Sequence, residues 1–433
     1  MNTTIHTEKA STKDAKKRRA MPGRLIFLCW LVYAVSYIAK LSYSANIREI
    51  GDAFMRSDAD CGLVSTMFFF AYGIGQIVNG ILCKKYNIKY VILGALAVSG
   101  AMNIAVGLTS NFDIIKYLWL VNGAALSFLW TSLIRLLSET IDKANISRAI
   151  VIMGTTVASG TLVVYGISSL IAAVASYRIV FYIAAASVFA VAVAWLIAYE
   201  PFVRPLYRER SEELTLDDKD LRIASSFDKT LLPLLSVLAL FAVANNFVKD
   251  GLTTWTPDIL GAIYDTPSWL SILLTLLLPM LAIFGIFVAV SLRKLLRNFV
   301  AICTVLYSLS LLLIGIVILT IARDVMPVTI TSFALVSCLM AGINNVITSM
   351  VPLYLKDRAS SGMLAGILNG FCYLGSTVSA YSLGAIADNS SWSSVLWVIG
   401  GVCAAMVIIG IVVVTVTLAK NKGKSSFGTG KDA

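Results

Sequence analysis

Residues 200–229 read EPFVRPLYRERSEELTLDDKDLRIASSFDK, running from Glu200 to Lys229. Glu212, Glu213, Asp217, Asp218 and Asp220 are set among Arg204, Arg208, Arg210, Lys219 and Arg222. A stretch this charged stays in water, and it stands near the middle of an otherwise apolar chain. A helix that crosses a bilayer needs about 20 mostly apolar residues. Working outward, six such runs precede the charged stretch: Leu25–Ile47, Cys61–Leu82, Tyr90–Thr109, Ile114–Leu137, Ala149–Ala175 and Ile179–Tyr199. Six follow it: Leu231–Trp255, Trp269–Leu292, Phe299–Ile321, Pro327–Ser349, Ser361–Ala387 and Ser394–Leu418. The expected fold class is an all-α polytopic membrane protein, with twelve spans in two pseudo-symmetric six-helix bundles. The expected division is a basic tail over 1–24, a bundle over 25–199, a linker over 200–229, a second bundle over 230–419 and a tail over 420–433.

Composition agrees. Of 433 residues, 58% are hydrophobic and 14% charged, and the mean hydropathy is +0.83. Soluble domains carry about 25% charged residues. The net charge of +11 is not a nucleic-acid footprint. With both termini placed in the cytoplasm, 28 of the 35 Lys and Arg fall on the cytoplasmic side. Five fall outside (Arg48, Arg56, Lys116, Arg178 and Arg323), as the positive-inside rule requires. The basic tail leads straight into a span too long for a signal core, so no cleaved leader is expected. The seven cysteines form no Cys-x-x-Cys pair and read as small apolar packing residues. The one histidine, His6, sits in the polar tail. No metal site, cofactor or nucleophile–base constellation is expected, which argues against an enzyme.

Two lysines remain, Lys40 and Lys249, at matching places in the first and seventh spans. A lysine at the centre of a membrane helix costs roughly 2.5–3.5 kcal/mol on insertion scales and generally faces a water-filled cavity on a substrate path. In two parallel repeats, spans one and seven face each other across a central cavity. The competing reading is snorkelling to the interface, but apolar residues continue past both lysines. Adjacent helix residues diverge by about 100°, which argues against an ion pair between Lys249 and Asp250.

Helical spacing adds neutral partners. Tyr33, Tyr37, Lys40 and Ser44 share a face; so do Tyr72, Gln76 and Asn79; Thr155 and Ser159; Asn245, Lys249 and Thr253; and Asn369, Tyr373 and Ser376. At least one of Asn344 and Asn345 leans inward, and Asn345 is taken as the candidate. Interhelical hydrogen bonding is the alternative use for these polar side chains. Gly366-x-x-x-Gly370 and Gly73, Gly75 and Gly80 read as helix-packing positions. The carboxylates Asp113, Glu139, Asp250 and Asp388 fall toward span ends. That placement favours anion exchange or facilitation over proton symport, because proton relays use membrane-embedded acids.

These residues resemble the major facilitator superfamily and, within it, the organophosphate:phosphate antiporters, the glycerol-3-phosphate and hexose-phosphate transporters. Tyr33-x-x-x-Tyr37-x-x-Lys40 is similar to that family's Tyr-x-x-x-Tyr-x-x-Arg. Ala71-Tyr72-Gly73 resembles its Ala-Tyr-Gly. Lys249-Asp-Gly-x-x-x-Trp255-x-Pro257 resembles its Arg-x-Gly-x-x-x-Trp-x-Pro, and Tyr373-Leu-Gly375 with Asp388 and Trp392 its eleventh helix. The resemblance implies that Lys40 and Lys249 stand where paired arginines bind a phosphoryl group, in a bacterial inner-membrane carrier working by alternating access. The departures are lysine for both arginines, Gln76 where glycerol-phosphate carriers have lysine, and Thr155 where they have histidine. The loop signature Gly-x-Leu-x-Asp-Arg reads Gly80-Ile-Leu-Cys-Lys84-Lys85, so its acid is lost.

The expected function is exchange of a small organic anion, a sugar phosphate or related organophosphate, for inorganic phosphate, by a monomer in a lipid bilayer with no nucleic-acid partner. The alternatives are proton-coupled symport of a sugar acid and a transporter-like ligand sensor. Candidate substrate-binding residues are Lys40, Lys249, Tyr33, Tyr37, Tyr72, Gln76, Thr155, Asn245, Asn345, Asn369 and Tyr373.

Overall fold

The structure, a computed structural model, describes residues 23–82, 86–141, 148–149, 152–206, 229–296, 298–323, 325–355 and 361–426. Most of the expected tails and linker, with His6, Cys83, Lys84 and Lys85, lies outside the described residues.

Twelve helices are long and apolar enough to cross a membrane. They are α1 (Gly23–Phe54), α2 (Asp58–Asn79), α3 (Ile88–Leu108), α4 (Phe112–Thr140), α5 (Ile152–Ala172) and α6 (Arg178–Leu206), then α7 (Leu232–Tyr264), α8 (Ser268–Leu295), α9 (Phe299–Thr320), α10 (Met326–Tyr354), α11 (Met363–Asn389) and α12 (Trp392–Val416). Starts are written locally. Asn87, Asn111 and Asn298 cap α3, α4 and α9 by accepting backbone N–H groups through their side chains. Large apolar residues such as Phe284, Phe287, Leu319 and Trp397 remain exposed. On a spanning helix that surface meets lipid rather than water.

Packing repeats between the halves. Helices α2 and α4 pair as α8 and α10 do, α3 and α6 as α9 and α12 do. Across the halves, α2 packs on α11 and α5 on α8, which are equivalents under the same repeat.

Two irregularities sit on the equivalent helices α1 and α7. Helix α1 breaks at residues 42–43, just past Lys40, and resumes through a 3₁₀ turn, Ser44–Asn46. A break inside hydrocarbon frees backbone groups that need partners. The Ala39 carbonyl accepts from Asn103 (3.3 Å) and Asn122 (3.2 Å), and Asn46 Nδ2 donates to the Ser42 carbonyl (2.7 Å) and to Ser168 Oγ (3.0 Å). Helix α7 continues through Pro257, past the expected end at Trp255. Proline has no N–H for the carbonyl four residues back, and Tyr165 of α5 donates to that carbonyl, on Thr253, at 3.0 Å.

The hydrogen bonds that cross between the halves, among the described residues, gather at the middle and at one end. That end carries the loops at 55–57, 175–177, 265–267 and 390–391. There Arg48 donates to the Thr266 carbonyl (3.1 Å), Ser169 to the Trp269 carbonyl (2.7 Å), and Thr66 to the Thr377 carbonyl (3.0 Å). Gly62 lies against the Ala380 carbonyl and Gly384 against that of Asp58, so neither has room for a Cβ. The small-residue reading holds at Gly73, Gly75 and Gly370, which face Tyr373, Ser127 and Ile77, but Gly366 faces open space.

Candidate functional site

The break in α1 leaves Lys40 near the end of a helical segment whose Ala39 carbonyl is held by asparagines of α3 and α4. Its side chain does not snorkel: Lys40 is 6% exposed. Its ammonium lies 4.3 Å from the ring centre of Tyr72, 4.8 Å from Tyr37, 5.0 Å from Tyr373, 5.8 Å from Phe68 and 6.0 Å from Phe69. It also donates to the Tyr373 hydroxyl at 3.3 Å, which ties α1 to α11. A desolvated cation over an aromatic face gains about 0.5–2 kcal/mol. Three rings within 5.0 Å therefore offset a large part of the insertion cost of about 2.5–3.5 kcal/mol. The expectation of a water-filled chamber around Lys40 is corrected. The space beside it, lined by Leu41, Ser44, Ser65, Phe68, Phe69 and Trp119, has no room for a water molecule. Aromatic rings occupy the volume instead.

The cage is itself ordered. Tyr33 and Tyr72 share a hydroxyl hydrogen bond of 3.3 Å, Tyr33 packs edge-on to Tyr37, and Tyr72 and Tyr373 lie 4.7 Å apart between centres. Gln76, one turn beyond Tyr72, is buried with its side chain beside the Tyr72 hydroxyl.

Lys249 stands in the middle of α7, half-buried. Here the second correction falls: its ammonium is 3.2 Å from Asp250 Oδ1. The four-carbon stem of lysine spans the 100° divergence of neighbouring helical positions. Asp250 is not near a span end either, because α7 runs on to Tyr264 and leaves it close to mid-helix. Its other oxygen accepts from Ser376 (2.5 Å) on α11 and from Asn246 (3.0 Å), which in turn accepts from Asn245 (3.1 Å). Tyr373, which accepts from Lys40, and Ser376, which donates to Asp250, lie three residues apart on α11.

The other candidates separate. Thr155 falls in a turn at the start of α5, is exposed, and accepts from Trp30 (2.9 Å) rather than joining the lysines. Asn79, on the same helix face as Gln76, donates to Ser127 of α4 (3.0 Å). Asn344 accepts from the Cys372 thiol (3.5 Å) of α11, while Asn345 is half-buried at the last turn of its helical segment. Asn369 is half-buried one turn before Tyr373. Phe68, Phe69, Asn246, Asp250 and Asn103 were not among the candidates. Phe68 was findable, since it lies one turn before Tyr72 on the same helix face; Asp250 was hidden by ending the seventh span too early.

The twelve candidate spans fall into two repeated halves, with Lys40, Lys249 and Asp250 near their middle. The chain belongs to the Major Facilitator Superfamily, whose family profile matches residues 29–380. Among curated proteins it is similar to the membrane sensor protein UhpC of Escherichia coli (strain K12), 31% identical over 98 residues, 23% of this chain and 22% of that protein. It is also similar to a probable hexose phosphate transport protein of Chlamydia trachomatis, 24% identical over 122 residues, 28% of this chain and 27% of that one. The matches thus span less than a third of those relatives. Among solved structures, a bacterial homologue of the human lysosomal transporter Spinster superposes with a TM-score of 0.71 at 13% identity, covering 90% of this chain and 95% of that one. The xylose transporter XylE from E. coli gives 0.69 at 11% identity, covering 90% and 97%. At these identities the likeness is one of fold.

Proposed function

We propose that this chain is a secondary carrier of a small organic anion, a sugar phosphate or related organophosphate, exchanged for inorganic phosphate. The observation that carries the reading is that α11 links membrane-embedded lysines of the two halves: Tyr373 accepts from Lys40 at 3.3 Å, and Ser376, three residues on, bonds Asp250, the partner of Lys249. Cargo anion draws on both ammonium groups, and Tyr33, Tyr37, Tyr72, Gln76, Asn245, Asn345, Asn369 and Tyr373 offer hydroxyl and amide partners. The name of the hexose phosphate relative supports a phosphorylated cargo. The bundles 25–199 and 230–419 rock about the central site as a monomer in a bacterial inner membrane, both termini in the cytoplasm. The end that carries the loops at 55–57, 175–177, 265–267 and 390–391, where the halves bond to each other, then faces outward as the sealed end.

One observation favours proton-coupled symport as a second reading: Asp250 is a membrane-embedded carboxylate, so the expected scarcity of such groups no longer argues for exchange. Purified protein in liposomes separates the readings. Uptake of labelled glucose 6-phosphate that requires internal phosphate supports exchange. Uptake driven only by an acid-outside gradient supports symport, and binding without flux supports a sensor.

A further inference from the structure

Gly166, Ser169, Leu170 and Ala173 recur at i, i+3, i+4 and i+7, one face of α5. Trp269 and Leu273 share a face of α8 in the same way. These six residues line a groove of about 510 Å³ where α5 of the first half packs on α8 of the second. Its seven-residue run along α5 measures about 10 Å. Ala173 lies at the sealed end, beside the loop at 175–177, and Gly166 lies deeper. A Cβ on Gly166 meets no heavy atom within 4 Å, so this glycine widens the deep end.

The lining offers a ligand almost nothing polar. The Ser169 hydroxyl donates to the Trp269 carbonyl at 2.7 Å and is thereby turned into the wall. Residues 152–172 and 268–292 contain no Asp, Glu, Lys or Arg. An anion finds no counter-charge here, and apolar space gives water no partners. The mouth opens sideways: Leu170 is 73% exposed, with Trp269 and Leu273 exposed across from it. On spanning helices that side meets hydrocarbon. Trp269, in the first turn of α8, stands at the depth where aromatic belts meet headgroups.

Size decides among apolar occupants. A 10 Å length of helix about 10–12 Å across fills roughly 800–1,100 Å³, more than the groove holds. A methylene takes about the ~30 Å³ of a water molecule, so the groove accepts on the order of fifteen, one lipid tail. Apolar walls without a neighbour forfeit their dispersion contacts, and a tail restores them.

We propose that this groove seats one acyl chain of a phospholipid from the leaflet at the sealed end, and that the chain braces the halves together there. The two walls belong to opposite halves, bonded across by Ser169 and Trp269. A chain seated between them favours the arrangement that forms the groove. Neither statement depends on which cargo the protein carries.

The test uses the full chain in nanodiscs of phosphatidylethanolamine and phosphatidylglycerol. A trace of phosphatidylethanolamine carries a diazirine at the middle of one tail, and mass spectrometry locates its adducts after photolysis. Leu108 and Leu319, exposed at the same end on other helices, report ordinary surrounding lipid. Adducts at Leu170, Ala173, Trp269 and Leu273 should exceed those at the reference leucines about tenfold, the ratio that ~1.4 kcal/mol of preference gives. Gly166→Trp, which fills the groove from its open floor, should bring them down to the reference level; Ala173→Phe, filling from the rim, should do the same. Spin labels on Met55→Cys and Ser391→Cys read the brace. Transfer into a steroid-based detergent, too rigid to enter, should raise the population of long distances, and added phospholipid should reverse it. Equal labelling at groove and reference residues overturns the site. Labelling by diazirine palmitate that excess phospholipid does not displace makes the occupant a free fatty acid and overturns the phospholipid assignment. Distances unmoved by lipid removal overturn the brace.

Discussion

The carboxylate of Asp388, at the end of α11, accepts the backbone N–H groups of Asp58 (3.0 Å) and Ala59 (2.7 Å), at the start of α2. One half of the protein thus caps a helix of the other. Helix N-termini carry unpaired N–H groups and partial positive charge, and a side-chain cap contributes about 0.5–2 kcal/mol. This contact exists only while the halves are together at the sealed end.

Asp388→Ala should therefore weaken that closure, by about 1 kcal/mol. Spin labels on Met55→Cys and Ser391→Cys would show a larger population of long distances in the variant. An unchanged distance distribution means that the cap is not what holds the end shut.

Gly62 offers a steric counterpart. A side chain there meets the Ala380 carbonyl, a backbone atom that cannot swing aside. Gly62→Val should hold the same pair of labels apart and slow exchange of labelled phosphate in liposomes. Full transport in this variant would show that α2 and α11 need not approach so closely.

Removing either lysine should weaken anion binding by about 30-fold or more, as loss of one partner of a desolvated charge pair does. Lys249→Ala also strands Asp250 without its cation, and thermal stability should drop. The double variant Lys249→Ala with Asp250→Ala should regain that stability and still fail to bind glucose 6-phosphate. Recovery of binding in the double variant would place anion recognition elsewhere.

Arginine at both positions should favour phosphate-bearing ligands over carboxylates, since guanidinium forms paired hydrogen bonds to phosphate where ammonium is a point charge. Competition between glucose 6-phosphate and gluconate for the purified protein measures this. An unmoved preference means the head group is not read at these residues.

The helical stripe Tyr33, Tyr37 and Lys40 was legible because a single helix brings i, i+4 and i+7 together, and Tyr72 with Gln76 likewise. The cage was not, because Tyr373 is 333 residues from Lys40 in the chain and meets it only once α11 has packed on α2. Asp250 was misplaced for a local reason. Trp255 and Pro257 look like a helix end, yet α7 continues to Tyr264 because Tyr165 supplies the hydrogen bond that Pro257 cannot.

By itself, the order of residues determined twelve crossings, the alternation of basic loops, and two lysines lodged among apolar neighbours. Transfer into hydrocarbon depends on composition over about 20 consecutive residues, so it can be read segment by segment. Only the tertiary structure decided which charges compensate which. Lys249 turns back to Asp250 while Lys40 is wrapped in rings, and that outcome depends on helix rotation, on the reach of flexible side chains and on partners hundreds of residues away.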